Sequence, residues 1–179
     1  MQNEPIWKVL SKEMLVDSPW LGVEAQTCEL PNGKVISPFY VVRQPDWVLV
    51  LAQNTDGNWI LGRQYRHGMG RWFLEFTAGI IDPGESPMHA AQRELTEETG
   101  YSGGEWNAMG AYPVNPDRQG ARFFLFLATG VQKTAETSFD DSEDIRLQLM
   151  SGVELNNAVD NGQLEHPHHV LAWLLLKRK

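Results

Sequence analysis

Between residues 79 and 101 the chain reads GIIDPGESPMHAAQRELTEETGY, which sets Glu85, Glu94, Glu97 and Glu98 around one arginine, Arg93. On an α-helix, Glu94 and Glu98 lie one above the other and Glu97 sits beside them, so three carboxylates share one face. Like charges at this spacing repel, and the macrodipole near a helix C-terminus disfavours anions further. A compensating positive charge is therefore expected. One reading of the cluster is a solvated acidic face. The other is a set of hard oxygen donors for Mg²⁺ or Mn²⁺, supplied by one helical turn without a long ordered loop. Arg93 and Glu85 would then bridge the loop 79–85 to the helix, with Gly79, Gly84 and Gly100 bending the chain around the cluster.

Holding that face requires a helix from about Pro87 to Glu98, with Ser86 as N-cap, Pro87 at the first helical position and Gly100 as the stop. Upstream, GVEAQTCELPNGKVISPFYVV carries two β-rich runs around Asn32-Gly33, and WVLVLAQNTDGNWILGRQYR repeats the pattern around Asp56-Gly57. The first strand of the second hairpin is apolar enough to be central. Residues 71–81 read as a strand and its exit loop, 106–113, 122–130 and 145–150 as further strands, and 151–161 and 167–178 as helices. Strands on both sides of one helix, with helices last, imply a mixed sheet with helices on its faces. Residues 1–45 read as a separate small sheet, bounded by the break at Gln44-Pro45.

The chain of 179 residues suits one domain with a small appendage, and 42% hydrophobic with 21% charged residues is a globular composition. Cys28 is the only cysteine, which excludes an internal disulfide and fits a reducing compartment. Fifteen basic against 23 acidic residues give a net charge of −8, which argues against nucleic acid as a partner and means that a phosphate-bearing substrate needs a cation to mediate. The opening MQNEPIWKVLSKEM lacks the apolar core of a signal peptide, and no run reaches the length of a membrane span, so a soluble cytoplasmic protein without membrane association is expected.

Gly79, five residues, Glu85, seven residues, then Arg93-Glu94-Leu95-Thr96-Glu97-Glu98-Thr99-Gly100 resembles the full signature of the Nudix hydrolases, which cleave nucleoside diphosphates linked to another group. Tyr101 stands where an aliphatic residue is usual. RQYRHGMGRWFLEFTAGIIDPGE is similar to the entry into that signature in ADP-ribose and nucleoside-diphosphate-sugar pyrophosphatases, although Thr77 stands where many relatives have proline. Pro116, sixteen residues after Gly100, matches a proline that marks the ADP-ribose subgroup, and SEDIRLQLMS resembles its late acidic loop and strand. The resemblance covers about residues 60–178. It implies an α/β fold, a Nudix α/β/α sandwich with a mixed sheet plus a small N-terminal antiparallel β-sheet. It also implies residues 1–45 as an N-terminal β-hairpin subdomain exchanged between the subunits of a homodimer, and residues 46–179 as the hydrolase domain. The implied reaction is Mg²⁺-dependent hydrolysis of the pyrophosphate of ADP-ribose or a related sugar nucleotide. GDP-mannose, a dinucleoside polyphosphate, an oxidised nucleotide or a non-catalytic sensor role are the alternatives, because fold does not decide substrate.

Carried over by resemblance, Glu94 and Glu98 are the principal metal ligands, Glu97 a helper, the Ala78 carbonyl another ligand and Glu85 a supporting or metal-linked group beside Arg93. The general base falls in FDDSED, with Glu143 ahead of Asp141, which is one methylene shorter than the glutamate relatives often carry. Arg66 is the candidate phosphate ligand because a guanidinium fork fits phosphate oxygens. Arg63 is a further binding candidate or a surface charge, and Glu75 either lies near substrate or is a buried partner of an arginine. His166, His168 and His169 precede an apolar helix without accompanying cysteines, so ordinary packing outweighs a transition-metal site. Trp47 and Trp72 are candidates for stacking on a nucleobase.

Overall fold

The computed structural model describes residues 4–139 and 144–178. Both hairpin signals close as their residues dictate. Leu30 N–H donates to Lys34 O at 2.8 Å across Asn32-Gly33. Around Asp56-Gly57, the Asn54 side-chain oxygen accepts from Asp56 N at 3.0 Å and Asn58 N at 2.9 Å, an Asx-type turn. The first hairpin belongs to an antiparallel sheet in the order β1-β2-β3, made of β1 (Lys8–Asp17), β2 (Gly22–Glu29) and β3 (Val35–Arg43). With residues 113–122 it makes up one of two compact units, the other being residues 46–112 and 123–179. Segment 113–122 is tied to β3 by Val42 N–H donating to Arg118 O at 2.8 Å. The sequence reading of two β runs missed β1, whose KVLSKEMLVD lacks strict alternation and leaves all ten residues exposed.

The larger unit is built on β4 (Trp47–Asn54), whose residues Val48–Ala52 are all buried, as a central strand covered on both faces must be. Its sheet runs β11-β5-β4-β10-β8, with β5 (Trp59–Arg66), β8 (Tyr101–Ser102), β10 (Arg122–Lys133) and β11 (Ile145–Met150). β6 (Arg71–Glu75) joins β5, β7 (Thr77–Ile80) joins β4, and β9 (Glu105–Pro113) joins β10. β10 lies parallel to β4 while β5, β7 and β11 are antiparallel to their neighbours, which makes the sheet mixed. The span read as a single strand with an exit loop is two strands. At Phe76 the chain leaves its pairing with β5 and takes up pairing with β4. Nothing in the run marks that change of partner, because Glu75, Phe76 and Thr77, on and beside the switch, are all buried.

Helix α1 (Pro87–Thr99) has the boundaries its caps require. Ser86 Oγ accepts from His89 N at 3.2 Å, and Gly100, at φ 72°, donates its N–H to Thr96 O at 2.8 Å. Ala90, Ala91 and Leu95 pack with Val48, Val50, Ala52 and Ile60 in one core cluster, which covers one face of the sheet. Side chains alternate along a strand, so Trp59 points to the other face. There it meets Trp173 of α3 (Pro167–Leu176), rings 5.0 Å apart, while α2 (Gly152–Asp160) packs against β11. The result is the α/β/α layering expected from the element order. Among the described residues no helix is long and apolar enough to cross a membrane.

Because Leu95 is fully buried between α1 and β4, Leu95→Ala is expected to destabilise the protein by about 3 kcal/mol. Urea titration checks this; a loss below about 1 kcal/mol would show that the helix is not held through this contact.

Candidate active site

The charge that the glutamate cluster requires comes from within it. Arg93 Nε and Nη2 grip the Glu85 carboxylate at 3.1 and 3.0 Å, and Nη1 bonds Glu94 Oε1 at 2.8 Å and Glu97 Oε2 at 3.0 Å. Nη2 also donates to Ile80 O at 3.0 Å, so one side chain ties the loop to the helix as its spacing suggests. His89 Nδ1 lies 2.6 Å from Glu85 Oε1, and Asp82 N–H donates to Glu85 Oε2 at 3.3 Å. The Arg93 hydrogen bonds, aided by His89 and Asp82 and opposed by burial, lower Glu85 from 4.5 to about 2. The same pairing raises Arg93 further above its ordinary value.

Gly79 does not bend the chain; it makes room. A Cβ built there would fall inside the Glu94 carboxylate, so the glycine lets that carboxylate lie against the β7 backbone. Glu98 is buried and lines a cleft with Arg66, Glu75, Thr77, Ala78 and Ile145. Glu94, Glu97, Glu98 and the Ala78 carbonyl are all oxygen donors, the chemistry of a hard divalent cation. Among the described residues six carboxylates, those of Glu75, Asp82, Glu85, Glu94, Glu97 and Glu98, stand against the two guanidiniums of Arg66 and Arg93 in this region, an excess of negative charge that suits such an ion. Among the described residues no three His, Cys, Asp or Glu side chains are placed so that together they could hold a metal ion.

Across the cleft, Arg66 Nε donates to both oxygens of Glu75 at 2.9 and 3.2 Å, and Nη2 adds a further ion pair. Glu75 is buried, so it takes the reading of an arginine's partner while still bordering the cleft. Behind it, His169 Nδ1 accepts from Phe76 N–H at 2.9 Å, and His169 Nε2 lies 3.9 Å from Glu75 Oε2. Complete burial keeps His169 neutral by pushing it well below its ordinary value, and burial lowers His166 too. His168 packs edge-on against Trp47 and Phe123.

Arg63, three residues before Arg66 on β5, falls on the opposite face of the strand and lines a separate cleft with Trp72, Gln148 and Glu165. Half-buried Trp47 stacks on buried Phe123 at 5.1 Å, whereas Trp72 lies under the Arg146 guanidinium, 4.3 Å from its ring centre. Glu143 and Asp141 lie outside the described residues. Of the flanking described residues, Ser138 N–H donates to Glu97 O at 2.8 Å and Ile145 lines the cleft. The sequence points to Arg93, Arg66 and the glutamates, and reads His169, with His166 and His168, as ordinary packing without its bond to Phe76. The only available signal for His169 was a histidine in an apolar helix, which more often means packing than positioning.

The protein-family model described as NUDIX domain matches residues 43–174, and the one described as nucleoside diphosphate sugar hydrolase N-terminal domain matches residues 7–42. The chain is 34% identical to the ADP-ribose pyrophosphatase of Bacillus subtilis (strain 168), over 68% of this chain and 65% of that protein. It is 40% identical to the ADP-sugar pyrophosphatase of Mus musculus, over 53% of this chain and 48% of that protein. The match thus spans less than two thirds of either relative's length. A crystal structure of an ADP compounds hydrolase superposes with a TM-score of 0.85 at 23% identity, covering 96% of this chain and 92% of that one, which shows the fold.

A carboxylate whose folded pKa lies below its unfolded value stabilises the fold above the unfolded pKa and loses that contribution as pH falls through the folded one. For Glu85 the window runs from 4.5 down to about 2. The stability lost in Glu85→Gln, measured by urea titration at stepped pH, is expected to be constant near neutrality and to shrink below 4.5. A difference that stays constant to about pH 3 would contradict the Arg93 pairing.

Proposed function

The chain belongs to the Nudix family, and we propose that it hydrolyses the pyrophosphate bond of ADP-ribose or a related nucleoside-diphosphate sugar, giving a nucleoside monophosphate and a sugar phosphate. The observation that carries this reading is the cleft in which buried Glu98 faces the Arg66–Glu75 pair. Glu94 and Glu98, with Glu97 and the Ala78 carbonyl, would hold Mg²⁺ or Mn²⁺, which would supply the charge that neutralises the diphosphate and lowers the pKa of a water. Arg66 is the phosphate ligand in this reading, and Glu75 fixes the plane of its guanidinium. Arg93 and Glu85 keep the carboxylate face in register with the loop. A carboxylate of the late acidic loop, Glu143 before Asp141, takes the proton of the water that attacks phosphorus as the bond to the bridging oxygen breaks.

The relatives named above act, by their names, on ADP-ribose and ADP-sugars, which supports this substrate class over the other Nudix substrates. Residues 1–45 form the N-terminal subdomain and 46–179 the hydrolase domain in this reading. The exposed apolar side chains of β1, among them Val9, Leu10, Leu15 and Val16, support a second copy of the chain as partner. Sedimentation at micromolar concentration is expected to give twice the monomer mass, and a monomer would remove that part.

Turnover of ADP-ribose, ADP-glucose, GDP-mannose and a diadenosine polyphosphate with and without Mg²⁺ tests the substrate class. A metal-dependent preference for an ADP-sugar is expected, and a preference for GDP-mannose or the dinucleotide would replace it. Glu98→Gln is expected to lower kcat about a hundredfold or more with Tm little changed; unchanged turnover would remove Glu98 from the metal set.

A further inference from the structure

We propose that His169 is a positioning residue for the phosphate-binding side of the cleft, holding the chain at the point where the sheet changes partner. The inference rests on Arg66 binding substrate phosphate, as proposed above. Glu75 is the last residue of β6, paired with β5, and Thr77 is the first of β7, paired with β4. Phe76 stands between the two ladders, and its N–H is directed at His169 Nδ1, 2.9 Å away. A buried N–H without an acceptor is costly, so this bond secures the switch itself.

The residues on either side of that switch line the cleft. Glu75 grips Arg66, while Thr77 and Ala78 border Glu98. An imidazole that accepts at Nδ1 while neutral carries its proton on Nε2, the nitrogen 3.9 Å from Glu75 Oε2. At that distance the two are not hydrogen-bonded, but the ring edge lies beside the buried carboxylate. His169 and Glu75 are 1% and 3% exposed, so water does not compete for either contact. The ring is held in turn by α3, parallel to Phe76 at 6.3 Å and edge-on to His166 at 4.5 Å. One side chain from the far layer thus secures the backbone between Glu75 and Ala78 and lies beside the carboxylate that orients Arg66.

The test is a kinetic double-mutant cycle on the full chain with ADP-ribose, or with whichever sugar nucleotide of the panel is turned over best. His169→Leu removes the acceptor, and His169→Asn keeps an oxygen near the Nδ1 position. His169→Leu is expected to raise KM about tenfold with kcat within about twofold, and His169→Asn to restore KM to within about twofold of the original. In an Arg66→Ala background, His169→Leu is expected to add less than about twofold, because the two act through one arm. Fully additive effects, or a KM that ignores His169 while responding to Arg66→Ala, would overturn the proposal alone. A KM indifferent to Arg66→Ala would take down the phosphate-binding reading and this inference with it. A measurement that needs no variant is the ¹⁵N spectrum of the histidines of the unaltered protein. A neutral Nε2–H tautomer for His169 is expected, and an Nδ1–H tautomer or an imidazolium near neutral pH would overturn the assignment.

Discussion

Carboxylates about 4 Å apart repel by roughly 1 kcal/mol in water and by several times that near a protein surface. Glu94, Glu97 and Glu98 add a helix C-terminus to that repulsion, and no basic residue lies in the last turn of α1. The Arg93 guanidinium is what makes the arrangement tenable. It bonds Glu85, Glu94 and Glu97 at once and reaches the Ile80 carbonyl as well. A lysine has three donors at one point and could not span loop and helix in this way. The Ser86 and Gly100 caps set where the helix begins and ends, and Gly79 lets it approach β7 closely enough for Glu94 to rest on the backbone.

The wall opposite the helix depends on the sheet. Alternation along β5 puts Gly62, Gln64 and Arg66 on the cleft and sends Arg63 to the other side. The change of partner at Phe76 then brings Glu75 and Ala78, only three positions apart, to the same cleft from two ladders. This irregularity has to be stabilised from outside the sheet, and α3 does so with a buried neutral histidine. The two helical layers therefore serve different sides of the cleft: α1 carries the acidic face, and α3 fixes the strands that face it.

Together these features leave the cleft with more negative than positive charge. A negative substrate would be repelled from such a wall, so the donor chemistry and the charge excess lead to the same requirement for a divalent cation. The start of the acidic loop is built into the same helix end: Gly100 O accepts from Thr134 N at 2.8 Å, and Glu97 O accepts from Ser138 N at 2.8 Å. These bonds use carbonyls that a helix terminus otherwise leaves unsatisfied.

Much of this was legible in the chain itself, because it depends on spacing. The i, i+3, i+4 glutamates, the Ser86-Pro87 start, the Gly100 stop and the Asn-Gly and Asp-Gly turns act over a few residues, and each formed as its residue types require. The mixed sheet between helical layers followed from the order of those elements. What sequence alone did not yield involves partners distant in the chain. These are the room that Gly79 leaves for Glu94 fifteen positions on, the division of Arg63 from Arg66 between two clefts, the return of 113–122 to β3, and the reach of His169 across 93 positions to Phe76. Local propensity and periodicity carry no record of such pairs. They arise only when burial of the core brings the layers together and every enclosed N–H and carboxylate must find a partner there.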